Sequence, residues 1–432
     1  MKNILKRIKT HEAVIGVVGL GYVGLPMAVT IARKGFKVIG VDVSDFAIES
    51  VNNGKNYIGD VDDDEFSDLV ERKMISATSN YKSLKKANII LIAVPTPLDK
   101  YQQPDSSYIC SAINSLAPNV NRETLVILES TTYPGTTQEI VVPSLENHGL
   151  VVGKDVFVSF SPERVDPGNL NYKTHNTAKV VGGVTEKCNE VSKVFYQEIL
   201  DAPIHLVSSP WVAEMEKIYE NTFRNINIAL ANEMTILCNR MGIDIWEVIE
   251  AAKTKPYGFM PFYPGPGIGG HCIPLDPFYL TWKAREYNYH TRLIELAGEI
   301  NNSMPSFVVT KAIKLLNQKE KAISRSKILL LGAAYKRDID DPRESPIHEL
   351  IKLLEENSAQ FDYNDPHIPE IYNPITRKKY KSVLLDDLEN YDLVIIVTDH
   401  SSYDFQNLVS RARLILDTRF AIKQKCENVI KL

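Results

Sequence analysis

Cysteine is scarce in this sequence: five in 432 residues, at positions 110, 188, 238, 272 and 426. The number is odd, the spacing is scattered, and no Cys-x-x-Cys pair occurs. Neither a disulfide framework nor a paired-cysteine zinc site is expected, and a reducing compartment fits this usage. No run of 18 apolar residues exists, so no membrane-spanning helix is expected. The start, Met1-Lys-Asn-Ile-Leu-Lys-Arg, is basic, but no adequate apolar segment or small-residue cleavage site follows. A cytoplasmic protein is expected. Neither charge dominates: 49 Lys and Arg face 54 Asp and Glu, a net charge of −5. That argues against a nucleic-acid or membrane-surface binder. An anionic ligand must then be held by local devices such as helix N-termini and a few placed cations.

What is present is an ordinary globular composition, 44% hydrophobic and 24% charged, with length for two or three domains. Val14–Val18 is a continuous apolar run of the kind found in buried parallel strands. Gly19-Leu-Gly-Tyr-Val-Gly24 follows, then a helical stretch from Leu25 to Arg33, a stop at Gly35, and a second strand from Lys37 to Val41 ending at Asp42. This is a βαβ unit. Further buried strands are expected at Ile89–Val94, Leu125–Glu129 and Val156–Phe160, which predicts a doubly wound parallel sheet. The acidic cluster from Asp60 to Glu65 lacks calcium-loop spacing and reads as a solvated loop.

A different texture begins at Ser209, a candidate N-cap followed by Pro210. No Gly or Pro then occurs until Gly242, which predicts one long helix. Helical pattern resumes at Asp244–Lys253 and from Pro277 to about Gln318, with a Gly- and Pro-rich loop at Pro261–Pro277. A third region opens with the strand Lys327–Gly332. Strands at Phe361–Tyr363, Leu393–Thr398 and Leu414–Leu416 and a helix at Ile347–Glu356 make it a smaller α/β domain. The expected domains are residues 1–208, 209–316 and 317–432.

A lone G-x-G-x-x-G is weak evidence. Here it joins a strand to a helix, with Asp42 eighteen residues beyond Gly24. In that setting Gly19, Gly21 and Gly24, with Tyr22 and Val23 between them, bring the backbone to a pyrophosphate at the helix N-terminus. Asp42 accepts hydrogen bonds from ribose hydroxyls and repels a 2′-phosphate, so NAD is expected rather than NADP. A tight turn without ligand is the alternative. Three more loops leave expected strand ends on the ligand-binding edge: Pro95-Thr96-Pro97, Ser130-Thr131-Thr132 and Ser161-Pro162-Glu163. Each alone reads equally well as turn punctuation. Together they suggest a cleft in which Glu163 acts as general base or positions water.

The segment Gly265-Pro-Gly-Ile-Gly-Gly-His-Cys-Ile-Pro-Leu-Asp-Pro277 carries the most specific signal. Its glycines bring amide N–H groups near the Cys272 sulfur and His271 adjoins it; both favour a thiolate nucleophile. A buried inert thiol and a metal ligand are the alternatives; a metal at His271, Cys272 and Asp276 lacks further ligands, and none is expected. Lys217 and Asn221 are four residues apart and share a helix face. Solvent exposure is the ordinary reading of such a lysine; buried, the pair could stabilise an oxyanion.

The combination G-L-G-Y-V-G-L-P, S-P-E-R, A-E-M-E-K-I-Y-E-N, G-I-G-G-H-C-I-P-L-D-P and A-Y-K-R-D-I-D-D-P-R-E-S-P resembles the UDP-glucose/GDP-mannose dehydrogenase family. The motifs follow the family's order from near residue 14 to near residue 420. The resemblance implies two Rossmann-like domains joined by a long helix that also builds a dimer. It also implies a four-electron oxidation of a UDP-sugar C6 alcohol, consuming two NAD⁺ through a Cys272 thiohemiacetal and thioester. Lys217 and Asn221 should stabilise oxyanions, with Asp276 near the attacking or leaving oxygen. Glu163 and Thr131 should organise water and the nicotinamide region, and Thr96 should join the cofactor set. Lys336 should reach the substrate, as should Arg164 and Gly269, and Arg343 the cofactor phosphates or the interdomain cleft.

The stretches around Ser130, Ser161 and Cys272 look like the branch acting on UDP-N-acetylhexosamines, UDP-N-acetylglucosamine above all, in surface polysaccharide synthesis. Some relatives supply an Arg from a neighbouring subunit just upstream of the cysteine loop; Lys253 and Lys255 stand there instead. The alternatives are a dehydrogenase of UDP-glucose, UDP-N-acetylgalactosamine or UDP-N-acetylmannosamine, a two-electron hydroxy-acid dehydrogenase, and a nucleotide-sugar-binding regulator without activity.

Overall fold

The computed structural model describes all residues except 60, 100, 167, 170 and 271. It divides into two compact units, Met1–Glu220 with Phe278–Tyr289, and Asn221–Pro277 with His290–Leu432.

In the first unit, α1 (Lys2–Lys9) precedes the βαβ start made of β1 (Val14–Val18), α2 (Gly24–Arg33) and β2 (Lys37–Val41). Then come α3 (Asp45–Asn52), α4 (Asp63–Glu71), β3 (Ile75–Thr78), β4 (Ile89–Ile92), α5 (Ser107–Leu116), β5 (Thr124–Leu128), α6 (Val142–Glu146) and β6 (Val156–Phe160). The set closes with β7 (Lys179–Gly183), α7 (Glu186–Ile199) and β8 (Ile204–Val207). The eight strands lie in the order 3-2-1-4-5-6-7-8, whose first six reproduce the doubly wound dinucleotide order. Alternate residues of the apolar strands feed two cores. Ile15, Val17, Leu125 and Ile127 face one layer; Val18, Val126, Leu128, Val158 and Phe160 face the other. Coverage of both faces is why these strands read as continuous apolar runs.

The sheet is not wholly parallel: β7 pairs antiparallel with β6. The acidic cluster is also corrected. Asp62 caps α4 by accepting from the Glu65 N–H at 2.9 Å, so residues 63–65 form its first turn, where carboxylates meet the positive end of the helix dipole. Asp60 lies outside the described residues.

The long helix α8 runs Pro210–Met241, ending before Gly242 as its breakers predict, and α9 spans Ile245–Ala252. The next helix departs from expectation. α10 is Cys272–Ala284, starting five residues before Pro277, and α11 (Arg292–Gln318) follows a break at left-handed Asn288. The prolines hid this start. A helix's first N–H groups have no internal acceptor, so Pro274 costs nothing there. Pro277 lacks the N–H that would reach the Ile273 carbonyl, and the Asn225 side-chain amide donates to that oxygen instead, at 3.0 Å.

The second unit holds a five-stranded parallel sheet. Its strands are β9 (Lys327–Leu331), β10 (Gln360–Asn364), β13 (Leu393–Ile396), β14 (Ile415–Asp417) and β15 (Val429–Lys431), in the order 10-9-13-14-15. The helix α12 (Ile347–Glu356) and a hairpin of β11 (Glu370–Asn373) and β12 (Lys378–Lys381) lie between β9 and β13 in sequence; α13 (Phe405–Arg411) precedes β14. No helix among the described residues is long and apolar enough to cross a membrane.

Candidate active site

The first unit carries the glycine-rich turn. Gly19 has φ of +91°, and a Cβ there would lie 2.4 Å from the Ala93 carbonyl oxygen; a Cβ at Gly24 would lie 1.8 Å from the Gly19 oxygen. These two glycines are demanded by the turn itself. Gly21 differs: a Cβ there would meet nothing within 4 Å, leaving open space where a phosphate can approach. Val23 and Gly24 open α2, and Tyr22 stands exposed beside them. The Asp42 carboxylate accepts from the Leu20 N–H at 2.7 Å and the Ser44 N–H at 2.9 Å. It is thereby oriented at the end of β2 with lone pairs left for a diol. These residues fit a dinucleotide.

The other strand-end loops of this unit lie on the same edge and are laced together. Ser130 donates to the Val94 carbonyl at 2.8 Å, which ties the loop carrying Thr131 to the one carrying Thr96. Tyr279 donates to the Thr96 carbonyl. Glu214, fully buried on α8, accepts from Gly135 N–H at 2.5 Å, Thr137 N–H at 2.9 Å and Thr137 Oγ1 at 2.7 Å, pinning the segment after Thr131.

Glu163 follows β6. Its Oε1 accepts from the N–H groups of Arg164 and Val165 at 2.8 and 2.9 Å, and its Oε2 meets Lys179 Nζ at 3.2 Å. Burial pushes this carboxyl up, but Lys179 and the two amides outweigh it and hold it below the usual carboxylate range. Arg164 pairs with Glu220 and, at 3.4 Å, with Glu216, both on α8. Burial and the neighbouring Glu220 charge push Glu216 up to about 7. Lys217 is buried on the same helix, which removes the solvent-exposed reading.

In the second unit, Cys272 is exposed at the first position of α10. A sulfur anion there faces the positive end of the helix dipole, an advantage hidden while Pro261–Pro277 read as loop. Polar side chains of the long helix hold this segment at three points. Asn221 Nδ2 donates to Asp276 Oδ2 at 2.5 Å, Asn225 to the Ile273 carbonyl, and Asn232 Oδ1 accepts from Gly265 N–H at 3.0 Å. Asn301 of α11 accepts from Asn232 at 2.9 Å. The spacing 221, 225, 232 puts these asparagines on one helix face, a signal present in the sequence but missed.

The glycines before Cys272 are packed on the stretch after β9. A Cβ at Gly269 would lie 2.5 Å from Tyr335 Cβ, one at Gly270 2.8 Å from the Tyr335 ring, and Gly270 N–H donates to the Arg343 carbonyl at 3.1 Å. Tyr335 adjoins Lys336. The Arg343 side chain makes a bidentate pair with Asp341. His271 lies outside the described residues. Among the described residues, Asp338, His367 and His400 bring ligand-type atoms within 4.8 Å of one another. Both His400 nitrogens are already engaged, with Asp365 at 2.9 Å and the Asp338 N–H at 3.0 Å.

The doubly wound sheet and its glycine turn mark the first unit as a dinucleotide-binding body of the dehydrogenase type; the second unit carries an exposed cysteine on a hydrogen-bonded segment. The chain belongs to the UDP-glucose/GDP-mannose dehydrogenase family. Its NAD binding domain matches residues 13–200, its central domain 211–303 and its UDP binding domain 329–424. The protein is thus a nucleotide-sugar dehydrogenase using NAD. It is 38% identical to Protein CapL of Staphylococcus aureus, over 96% of this chain and 97% of that one. It is 39% identical to a UDP-N-acetyl-D-glucosamine 6-dehydrogenase of Pseudomonas aeruginosa, over 82% and 83%. A solved UDP-D-ManNAc dehydrogenase from Pyrococcus horikoshii superposes with a TM-score of 0.88 at 33% identity, covering 96% of this chain and 98% of that one.

Proposed function

We propose that this enzyme oxidises the C6 alcohol of UDP-N-acetylglucosamine to the carboxylate, with Cys272 as covalent catalyst. The observation that carries the reading is Cys272 exposed at a helix N-terminus, on a segment the asparagines of α8 hold in place. NAD, when bound, supplies the hydride acceptor, and two equivalents balance the four electrons. Gly19, Gly21, Tyr22, Val23, Gly24, Asp42 and Thr96 would hold it, with Thr131 beside the nicotinamide and Arg343 toward its phosphates.

The roles proposed for the remaining residues are those the family resemblance implies for their motif positions. The Cys272 thiolate adds to the C6 aldehyde, forming a C–S bond. Lys217 and Asn221 stabilise the oxyanion, and Asp276, held by Asn221, lies near the attacking or leaving oxygen. Loss of the second hydride leaves a thioester on Cys272, which retains the half-oxidised sugar. Water cleaves the C–S bond, Glu163 positions that water, and the thiol is restored. Arg164, Gly269 and Lys336 contribute to sugar-nucleotide binding. A working thiol suits a reducing compartment, and the cytoplasm is the expected location. The product would serve as a precursor for surface polysaccharide.

The named relatives act on both N-acetylglucosamine and N-acetylmannosamine derivatives, so the test is a panel. NADH release is measured with UDP-N-acetylglucosamine, UDP-N-acetylmannosamine, UDP-N-acetylgalactosamine and UDP-glucose. Two NADH per sugar, fastest with the first, is expected. One NADH with a released aldehyde would remove the thioester route, and faster turnover of another sugar would reassign the substrate.

A further inference from the structure

Beside Glu163 lies a buried cluster that the proposed chemistry has not used. Because β7 reverses direction against β6, its first residue, Lys179, arrives at the same sheet edge as the loop after β6. Lys179 is 3% exposed. Its Nζ lies 3.2 Å from Glu163 Oε2 and 3.3 Å from Glu129 Oε1. Glu129 follows β5, two residues before Thr131, and is 1% exposed. Tyr196 of α7 donates to Glu129 Oε1 at 2.6 Å. Glu129 Oε2 has no partner among the described residues. Among the described residues, the Ser161 hydroxyl, beside Tyr196, and the Arg164 guanidinium, whose charge Glu163 feels, also face the cluster.

Two carboxylates share one ammonium; Lys179 and Glu129 are buried, and Glu163 alone is partly open at the ligand edge. Ionising both would leave an uncompensated buried charge, so the cluster retains one proton. The hydrogen bonds decide where. Both Glu163 oxygens are engaged, by two amides and Lys179. Glu129 receives both its donors on one oxygen and leaves the other bare. Burial accordingly drives Glu129 up, whereas the neighbouring carboxylates, acting against burial, hold the Lys179 ammonium in its charged form.

The geometry points to Lys179 as a positioning residue that keeps Glu163 ionised at the ligand edge, with Glu129 carrying the proton of the pair. This rests on the reading of Glu163 as the group that positions water. It goes beyond that reading by assigning to Lys179 and Glu129 the control of the Glu163 proton.

The experiment follows kcat against pH with the UDP-sugar turned over fastest, using full-length Lys179→Met, Lys179→Arg, Glu129→Gln and Glu163→Gln. Lys179→Met leaves two carboxylates competing for a proton, so the acid limb should rise by about one pH unit or more. Lys179→Arg should return the limb toward its original position. Glu129→Gln mimics the protonated Glu129 and should leave the limb where it is. A purely structural role lowers melting temperature and rate at every pH but does not shift the limb. A folded Lys179→Met with an unmoved limb overturns the proposal. If that variant does not fold, an acid limb in Glu129→Gln that falls by about a pH unit or more, as it would if Glu129 were ionised beside Glu163, overturns it instead. Wild-type turnover by Glu163→Gln removes the reading of Glu163, and the role of Lys179 with it. Loss of activity in Glu163→Gln with an unmoved limb in Lys179→Met removes the Lys179 proposal alone.

Discussion

The Asn225 side-chain amide donates at 3.0 Å to the carbonyl oxygen of Ile273, the acceptor that Pro277 leaves without its helical partner. One long-helix side chain thereby completes the backbone of the helix that begins at Cys272. Removing it leaves a half-buried carbonyl without that donor, which costs on the order of 1 kcal/mol. Asn225→Ala should therefore lower stability by about 1 kcal/mol in urea denaturation. Adding Pro277→Ala, which restores an N–H to the helix, should recover part of the loss. Equal losses in the single and double variants would show that the amide does not substitute for the missing bond.

Cys272→Ala should reduce uronic acid formation by on the order of a thousandfold or more, because the aldehyde can no longer become a thioester. The measurement is NADH per sugar together with product analysis. Acid production at the wild-type rate would take Cys272 out of the mechanism.

Asp42 is oriented by two backbone amides at the end of β2, and its free lone pairs are proposed to meet the adenosine ribose. Hydrogen bonds to a charged group are worth about 1.5–3 kcal/mol, so Asp42→Ala should raise the NAD Michaelis constant by roughly tenfold or more. The constant for the sugar should change little. Parallel increases in both constants would count against the ribose contact and point to damage to the turn.

How far the sequence reached depended on whether a feature was local. Val14–Val18 and Lys37–Val41 were legible because strands buried on both faces carry near-continuous apolar runs, broken here only by Lys37 at the exposed start of β2. The long helix was legible because Pro210 and Gly242 bracket an uninterrupted run. Cys272 stood out through its glycines, yet its place at a helix start did not. Pro274 and Pro277 spoke for a loop, and the compensating donor, Asn225, lies 48 residues away. The Lys179 cluster was illegible for a related reason. Glu129, Glu163, Lys179 and Tyr196 come from four elements, and only the antiparallel reversal of β7 brings the lysine to them. A lysine opening a strand reads as an exposed end until that pairing is known.

Glu216 offers a test on stability. Burial and the Glu220 charge raise it from 4.5 to about 7, although Arg164 opposes the shift. The folded state thus holds this proton more tightly than the unfolded chain. Its contribution is fully present below about pH 4.5 and is lost as pH rises through about 7. Glu216→Gln, which mimics the protonated form, should flatten the fall in melting temperature between pH 5 and 8.5. It should also melt above the wild type at the alkaline end. Superimposable curves would mean that Glu216 is already ionised in the folded protein at pH 5.

The long helix turns its polar side inward. Glu214, Lys217, Asn221, Asn225 and Asn232 are buried, whereas Met215, Tyr219, Phe223, Leu230 and Leu237 on the opposite face are 41–69% exposed. The exposed set recurs at steps of four and then seven residues, as an apolar stripe does on a helix that meets a partner. Patches of this kind on soluble proteins mark interaction surfaces, and pairing with a second copy would cover it by symmetry. Wild-type protein should therefore sediment as a dimer or larger assembly, and Leu230→Glu with Leu237→Glu should shift it toward monomer. Both substitutions place charge only on exposed positions, so the monomer should keep its circular dichroism spectrum. An unchanged sedimentation coefficient in the double variant would move the interface elsewhere and leave the stripe unexplained.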